Sequence, residues 1–227
     1  RRLHLPISES ITQAQPLIQE ATRELDAAIR AGSGFEDELG RETARIMLAY
    51  ASGTSQDVLR HAQESMERFP DQEGIEELHW RVGLVSAGDA QIDAFNRAIA
   101  KRPKYPLALV CRGAARLFSN DLDGAIKDCD DALRINPRLV EAHNNKGVAC
   151  SKKGDLDRAL DAFSQALEID PTYGPAYENR AAVRSQEGDL ESALADLARA
   201  LELNPKSPLA HVNRGIVRSR RGDLDGA

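Results

Sequence analysis

The sequence has few aromatic residues, few cysteines and no long apolar run. Aromatic residues make up 4% of the 227 residues, which leaves few rings on which nucleic-acid bases could stack. The 30 basic residues are outnumbered by 36 acidic ones, which argues against a general nucleic-acid partner. No apolar run approaches the roughly 18 residues that a membrane span needs, and no signal-peptide pattern opens the chain. We therefore expect neither nucleic acid nor a membrane as partner.

Motifs for catalysis or metal binding are also missing. The three cysteines form no Cys-x-x-Cys pair, and their odd number is typical of reduced thiols that pack as small apolar residues. No two histidines stand four residues apart, as a zinc site on one helical face would require. A calcium loop over residues 119–130 would need an acidic first ligand where Ser119 stands, and Asp121 has a simpler role as a helix N-cap. We expect no catalytic activity, no metal and no cofactor.

A repeat is what the sequence does contain. Four prolines are separated by 34 residues each time, a period typical of stacked helix-turn-helix units: Pro103, Pro137, Pro171 and Pro205. A small residue recurs in each first helix, where antiparallel helices cross closely: Gly113, Gly147, Ala181 and Gly215. Each turn pairs a residue that tolerates left-handed backbone with an aspartate N-cap: Asn120-Asp121, Gly154-Asp155, Gly188-Asp189 and Gly222-Asp223. The chain is therefore predicted to be an array of helix pairs.

These residues resemble the tetratricopeptide repeat family from residue 106 to the end of the chain. The resemblance implies an all-α fold, a right-handed α-solenoid of stacked antiparallel helix pairs whose first helices line a concave groove. One departure concerns the aromatic residue expected early in each first helix, where this chain has Leu109, His143, Tyr177 and His211. We expect that departure to weaken the packing slightly.

The spacing predicts three regions. Residues 1–35 form an N-terminal helical segment, residues 36–105 form degenerate or shortened helix-pair repeats, and residues 106–227 form the regular array. Its units are residues 106–139, 140–173, 174–207 and a partial repeat, 208–227. Gly83 and Gly88 are two residues closer together than Gly147 and Gly154, so residues 71–105 are predicted to be a shortened unit. Because the sequence starts without Met and stops within a repeat, we expect a longer protein.

The candidate binding residues follow from a row of asparagines at one repeat position. In the family this position faces the groove, and a carboxamide can pair with both the N–H and the C=O of an extended peptide. The predicted peptide-binding residues are Asn145, Asn179, Asn213, Asn144, Lys152, Ser151, Ser185, Ser219 and Arg220. The alternative is that these asparagines are solvated family residues without a ligand.

The first helices are basic and the second helices acidic. Over residues 106–119, 140–153, 174–187 and 208–221, basic residues outnumber acidic ones by 11 to 3. If these charges face the groove, an acidic or phosphorylated partner is steered inward. In the alternative, the arginines lie at the seam between helices and pair with the acidic second helices.

Three function classes are compatible with the sequence. The first is a non-catalytic scaffold that binds an extended, preferably acidic, segment of a protein or peptide partner in its groove. The second is a substrate-recruiting or regulatory arm of a larger enzyme. A chaperone adaptor with a carboxylate clamp is discounted, because the fifth and ninth places of no first helix combine Lys and Asn. Self-association is also expected at the open C-terminal repeat, through Leu209, Val212, Ile216 and Val217.

Overall fold

The computed structural model describes residue 79, residues 82–84, residue 86 and residues 88–223. The predictions for residues 1–35 and for most of residues 36–105 lie outside this part of the chain. The chain divides into two compact units, Arg1–Arg102 and Pro103–Ala227.

The described part of the first unit contains one complete helix, α1 (Asp89–Lys101). Phe95 of this helix is fully buried. Gly83 lies under its ring, since a Cβ atom there would be 2.4 Å from Phe95 Cε1. The Gln91 side chain donates to the Gly83 carbonyl at 3.0 Å. The missing side chain of Gly83 is therefore what allows the aromatic ring to pack.

The second unit is a succession of helix pairs. Its first helices are α2 (Pro106–Phe118), α4 (Val140–Lys153), α6 (Gly174–Glu187) and α8 (Pro208–Arg221). Its second helices are α3 (Leu122–Ile135), α5 (Leu156–Ile169) and α7 (Leu190–Leu203). Each helix packs on the next, and successive first helices also contact one another. No strand occurs among the described residues. The predicted all-α solenoid of stacked helix pairs is confirmed.

The turns between paired helices have the predicted chemistry. Left-handed backbone occurs at Asn120 (φ 63°) and at three glycines (φ 84° to 88°): Gly154, Gly188 and Gly222. The following aspartates accept from backbone N–H groups in the first turn of each second helix: Asp121 from Gly124, Asp155 from Arg158 and Asp189 from Ser192. A cap of this kind contributes roughly 0.5 to 2 kcal/mol. Local sequence therefore sets where each second helix begins.

The residues that replace the expected aromatic have a definite role. The His143 Nε2 atom lies 3.0 Å from the Pro137 carbonyl oxygen, and His211 Nε2 lies 2.9 Å from that of Pro205. Since a carbonyl can only accept, Nε2 carries the proton in both rings. The Tyr177 hydroxyl donates to the equivalent carbonyl of Pro171 at 3.3 Å. In α4 and α8, histidine therefore preserves the hydrogen bond to the preceding proline turn that Tyr177 makes in α6.

Candidate functional site

The candidate site lies on the first helices, along the row formed by Asn145, Asn179 and Asn213, here called the amide row. All three residues are half-buried. They occupy equivalent positions in α4, α6 and α8, which contact one another in sequence order. The carboxamides of Asn145 and Asn213 make no hydrogen bond within the described part of the chain, so both their donors and their acceptors are available to a ligand.

Asn144 has a different environment from the one predicted. It is buried, with 7% of its surface exposed, and its Oδ1 atom accepts from Asn179 Nδ2 at 3.0 Å. This bond joins α4 to α6 and uses one donor of the amide row. Asn144 thus belongs to the contact between first helices, because the next first helix covers its position. Asn179 keeps one N–H and its carbonyl oxygen for a ligand.

A cavity of about 120 Å³ lies between α6 and α8. Three predicted site residues meet there: Ser185, Asn213 and Arg220. Its other lining residues are Ala182, Gln186, Ile216 and Val217. We call it the α6–α8 pocket. Three of the nine predicted site residues therefore lie together in this pocket.

Lys152 and Arg220 share one repeat position and make the same kind of contact. The Lys152 ammonium donates to the Leu117 carbonyl at 3.4 Å, and Arg220 Nη1 donates to the Ser185 carbonyl at 2.9 Å. Each cation thus reaches back to the C-terminal turn of the preceding first helix, where the helix dipole is negative. Ser151 is half-buried and Ser219 is exposed.

Arginines of the first repeat turn toward its second helix. Arg112 forms a bidentate pair with Asp128, with Nε–Oδ2 at 2.9 Å and Nη2–Oδ1 at 2.6 Å. Arg116 Nη1 contacts the same carboxylate at 2.9 Å. Asp128 is fully buried. Two arginines are therefore satisfied by one interior carboxylate of α3.

The third repeat has the same triad. Arg180 holds Asp196 with Nε–Oδ2 at 2.9 Å and Nη2–Oδ1 at 2.7 Å, and Arg184 Nη1 contacts Oδ2 at 2.7 Å. In the second repeat Lys146 pairs with Asp130 at 2.7 Å. These contacts match the alternative in which the basic residues lie between helices and pair with the acidic second helices. Most of the positive charge of α2, α4 and α6 is therefore neutralised within the chain.

Of the four apolar residues of α8 that were predicted to be uncovered, three are exposed and one is buried. Leu209, Val212 and Ile216 are exposed, whereas Val217 is 2% exposed. Val217 packs in a cluster with Ala181 and Leu197 of the preceding pair. The prediction that Val217 belongs to the open face is therefore wrong, because the side of α8 that carries it is covered by α6 and α7.

Sequence reasoning missed several residues of this region. Gln186 lines the α6–α8 pocket. It could have been predicted from the sequence, because it shares a repeat position with the predicted residues Lys152 and Arg220. The buried aspartates of the two triads were also missed. Asp128 and Asp196 occupy the same repeat position of the second helix, where the second repeat has Ala162. An acidic residue at this otherwise apolar position is the feature of the sequence that could have identified them.

The cysteines have the environment of interior residues. All three are free thiols, and Cys129 and Cys150 are fully buried. Burial, followed by the nearby carboxylates of Asp128 and Asp130, raises the pKa of Cys129 to about 12. Burial also raises the pKa of Cys150. A thiol with a raised pKa is a poor nucleophile at neutral pH.

Among the described residues, no group of three or more His, Cys, Asp or Glu side chains is arranged to hold a metal ion. No helix in that part of the chain is both long and apolar enough to cross a membrane.

Comparison with known proteins identifies the repeat. Residues 140–173 match the family model described as Tetratricopeptide repeat, and residues 184–222 match one described as TPR repeat. The first segment coincides with the pair α4–α5, and the second runs from the last turn of α6 through α7 and α8; each contains a glycine-aspartate turn. These two segments are therefore assigned as tetratricopeptide repeats, a family that is generally a non-catalytic interaction scaffold. No curated protein matches the chain.

Solved structures share the fold. A thermophilic TPR protein of Thermus thermophilus, TTC0263, is 22% identical over 78% of this chain and 98% of its own, with a TM-score of 0.61. YrrB, described as a TPR protein with an unusual peptide-binding site, is 20% identical over 83% and 96%, with a TM-score of 0.63. MamA from Desulfovibrio magneticus is 16% identical over 77% and 99%, with a TM-score of 0.67.

Proposed function

We propose that the chain binds an extended segment of a partner protein along the amide row, by hydrogen bonds to the main chain of that segment. A family whose members are generally interaction scaffolds and a structural neighbour described as having a peptide-binding site support this proposal.

The unpartnered carboxamides of Asn145 and Asn213 carry the proposal. Each offers one acceptor and two donors on a half-buried surface, and Asn179 lies between them along the stack of first helices. An extended peptide presents N–H and C=O groups at regular intervals, whatever its side chains are. A row of carboxamides therefore binds peptide backbone with little demand on sequence.

Charge contributes less to this binding than the sequence suggests. The arginines of the two triads and Lys146 already have carboxylate partners. The cations that remain near the groove without a carboxylate include Lys152 and Arg220, and both are exposed. We therefore propose a preference for acidic segments that is local to these two residues, with an affinity that depends only weakly on salt.

The test uses decapeptides selected on the 227-residue chain from a random phage-displayed library, with affinity measured by fluorescence anisotropy. Asn145→Ala combined with Asn213→Ala removes side chains that have no structural partner. Losing one neutral hydrogen bond costs about 0.5 to 1.5 kcal/mol, so the double variant should bind the selected peptides about 10-fold or more weakly.

The matched control places alanine at two exposed second-helix positions, Lys127→Ala with Glu168→Ala. This variant should bind the peptides as the parent chain does. Undiminished binding by the asparagine variant, or an equal loss in both variants, would contradict the proposal.

A further inference from the structure

We propose that the α6–α8 pocket is a specificity pocket for one glutamate side chain of the bound segment. The inference rests on the proposed function and adds a side-chain requirement to it. The main chain would follow the amide row through Asn213, which belongs both to that row and to the pocket lining.

The lining has the two kinds of surface that a glutamate side chain needs. Ala182, Ile216 and Val217 supply apolar wall for its two methylene groups. Ser185, Gln186, Asn213 and Arg220 supply the polar part of the lining. At about 120 Å³ the cavity has room for one side chain of this size, somewhat less than the roughly 150 Å³ cavity that holds benzene.

Arg220 is the residue that would select an anion. Its Nη1 atom donates to both the carbonyl and the hydroxyl oxygen of Ser185, at 2.9 Å and 3.1 Å. These bonds fix one corner of the guanidinium. The group has five N–H donors, so the remaining ones are left for a ligand, and they suit a carboxylate better than a neutral amide. Arg220 makes no ion pair with a carboxylate within the described part of the chain, so its charge is not already neutralised.

The alternative role for Arg220 is purely structural. Lys152 makes the equivalent contact with the Leu117 carbonyl, which shows that a cation at this position can simply tie two first helices together. If Arg220 only holds two first helices together, replacing it should change the free energy of unfolding. A specificity residue also predicts a change in which peptide binds, and that second readout separates the two roles.

The test titrates two neutral-ended tripeptides, Ac-Ala-Glu-Ala-amide and Ac-Ala-Gln-Ala-amide, into the isotope-labelled 227-residue chain and follows backbone amide shifts by NMR. The glutamate peptide should shift the amides of Ala182, Ser185 and Ile216 and should bind about fivefold or more tightly than the glutamine peptide. Arg220→Gln should remove that preference. Lys127→Gln, at an exposed position of α3 outside the proposed site, should keep it.

Equal binding of the two tripeptides, shifts outside α6 and α8, or a preference that survives Arg220→Gln would overturn the pocket proposal. A loss of the preference in Lys127→Gln as well would also overturn it, because the effect would then not belong to the pocket. If library-selected decapeptides still depend on Asn145 while showing no preference for glutamate, the pocket proposal fails and the proposed function stands.

Discussion

Gly113 and Gly147 occupy the same position of successive first helices but differ in what lies above them. A Cβ atom at Gly147 would lie 2.5 to 2.8 Å from three carbons of the Phe163 ring. At Gly113 the nearest atoms would be 3.4 to 3.5 Å away and include Asp128 Cβ and Cys129 Sγ. The same substitution to alanine therefore meets a steric clash in one repeat and ordinary contact in the other.

The two substitutions should change the free energy of unfolding by different amounts. Glycine in a helix interior is about 1 kcal/mol less favourable than alanine, so Gly113→Ala should stabilise by up to about 1 kcal/mol. Gly147→Ala gains the same helix propensity, but overpacking a core costs about 1 to 3 kcal/mol. We expect Gly147→Ala to be the less stable variant by about 1 to 3 kcal/mol.

Urea denaturation followed by far-ultraviolet circular dichroism measures this difference. The third repeat suggests a rescue, because Ala181 there packs in one cluster with Leu197. Adding Phe163→Leu to Gly147→Ala should recover stability relative to the sum of the single changes. Equal stability of Gly113→Ala and Gly147→Ala, or additive effects in the double variant, would refute the packing argument.

Three further predictions concern two buried groups, Asp196 and Cys129. Asp196→Ala leaves two arginines without their interior carboxylate and should cost about 3 to 5 kcal/mol by urea denaturation. Glu168→Ala on an exposed surface should change stability by at most about 0.5 kcal/mol, and a similar loss in both would contradict the role of the triad. A thiol reagent at pH 8 should label Cys111 well before Cys129. Because the pKa of Cys129 is raised from 9.0 to about 12, stability that is present below pH 9 should decline as the pH rises toward 12. Cys129→Ala should lack that part of the decline.

The features that depend on local sequence were predictable. The left-handed turn at Gly154 and the N-cap at Asp155 follow from the conformational freedom of glycine and from a side-chain oxygen placed before the first helical turn. The 34-residue interval then extends these assignments from one unit to the next. The all-α fold and the helix pairs needed no information from distant residues.

Side-chain direction within a first helix was harder to predict. Asn144 and Asn145 are adjacent in sequence, yet Asn144 is buried against α6 and Asn145 is half-buried with no hydrogen bond to the described part of the chain. Arg180 could have faced the groove or the seam, because about 100° of helix rotation separates neighbouring positions. Only the position of a carboxylate on the second helix decides between these directions. The charge count of the sequence therefore overestimated the positive charge that the first helices leave unneutralised.

Backbone recognition is the central claim, and a methylation scan tests it most directly. Each residue of a library-selected decapeptide is N-methylated in turn, and each is separately replaced by alanine, with affinity for the 227-residue chain measured by anisotropy. The claim predicts that N-methylation at some peptide positions weakens binding about 2- to 10-fold per lost hydrogen bond. At one of these positions, methylation should cause no further loss of affinity when the chain carries Asn145→Ala or Asn213→Ala. An affinity set entirely by the alanine scan, with every N-methylated peptide binding as well as the parent, would contradict it.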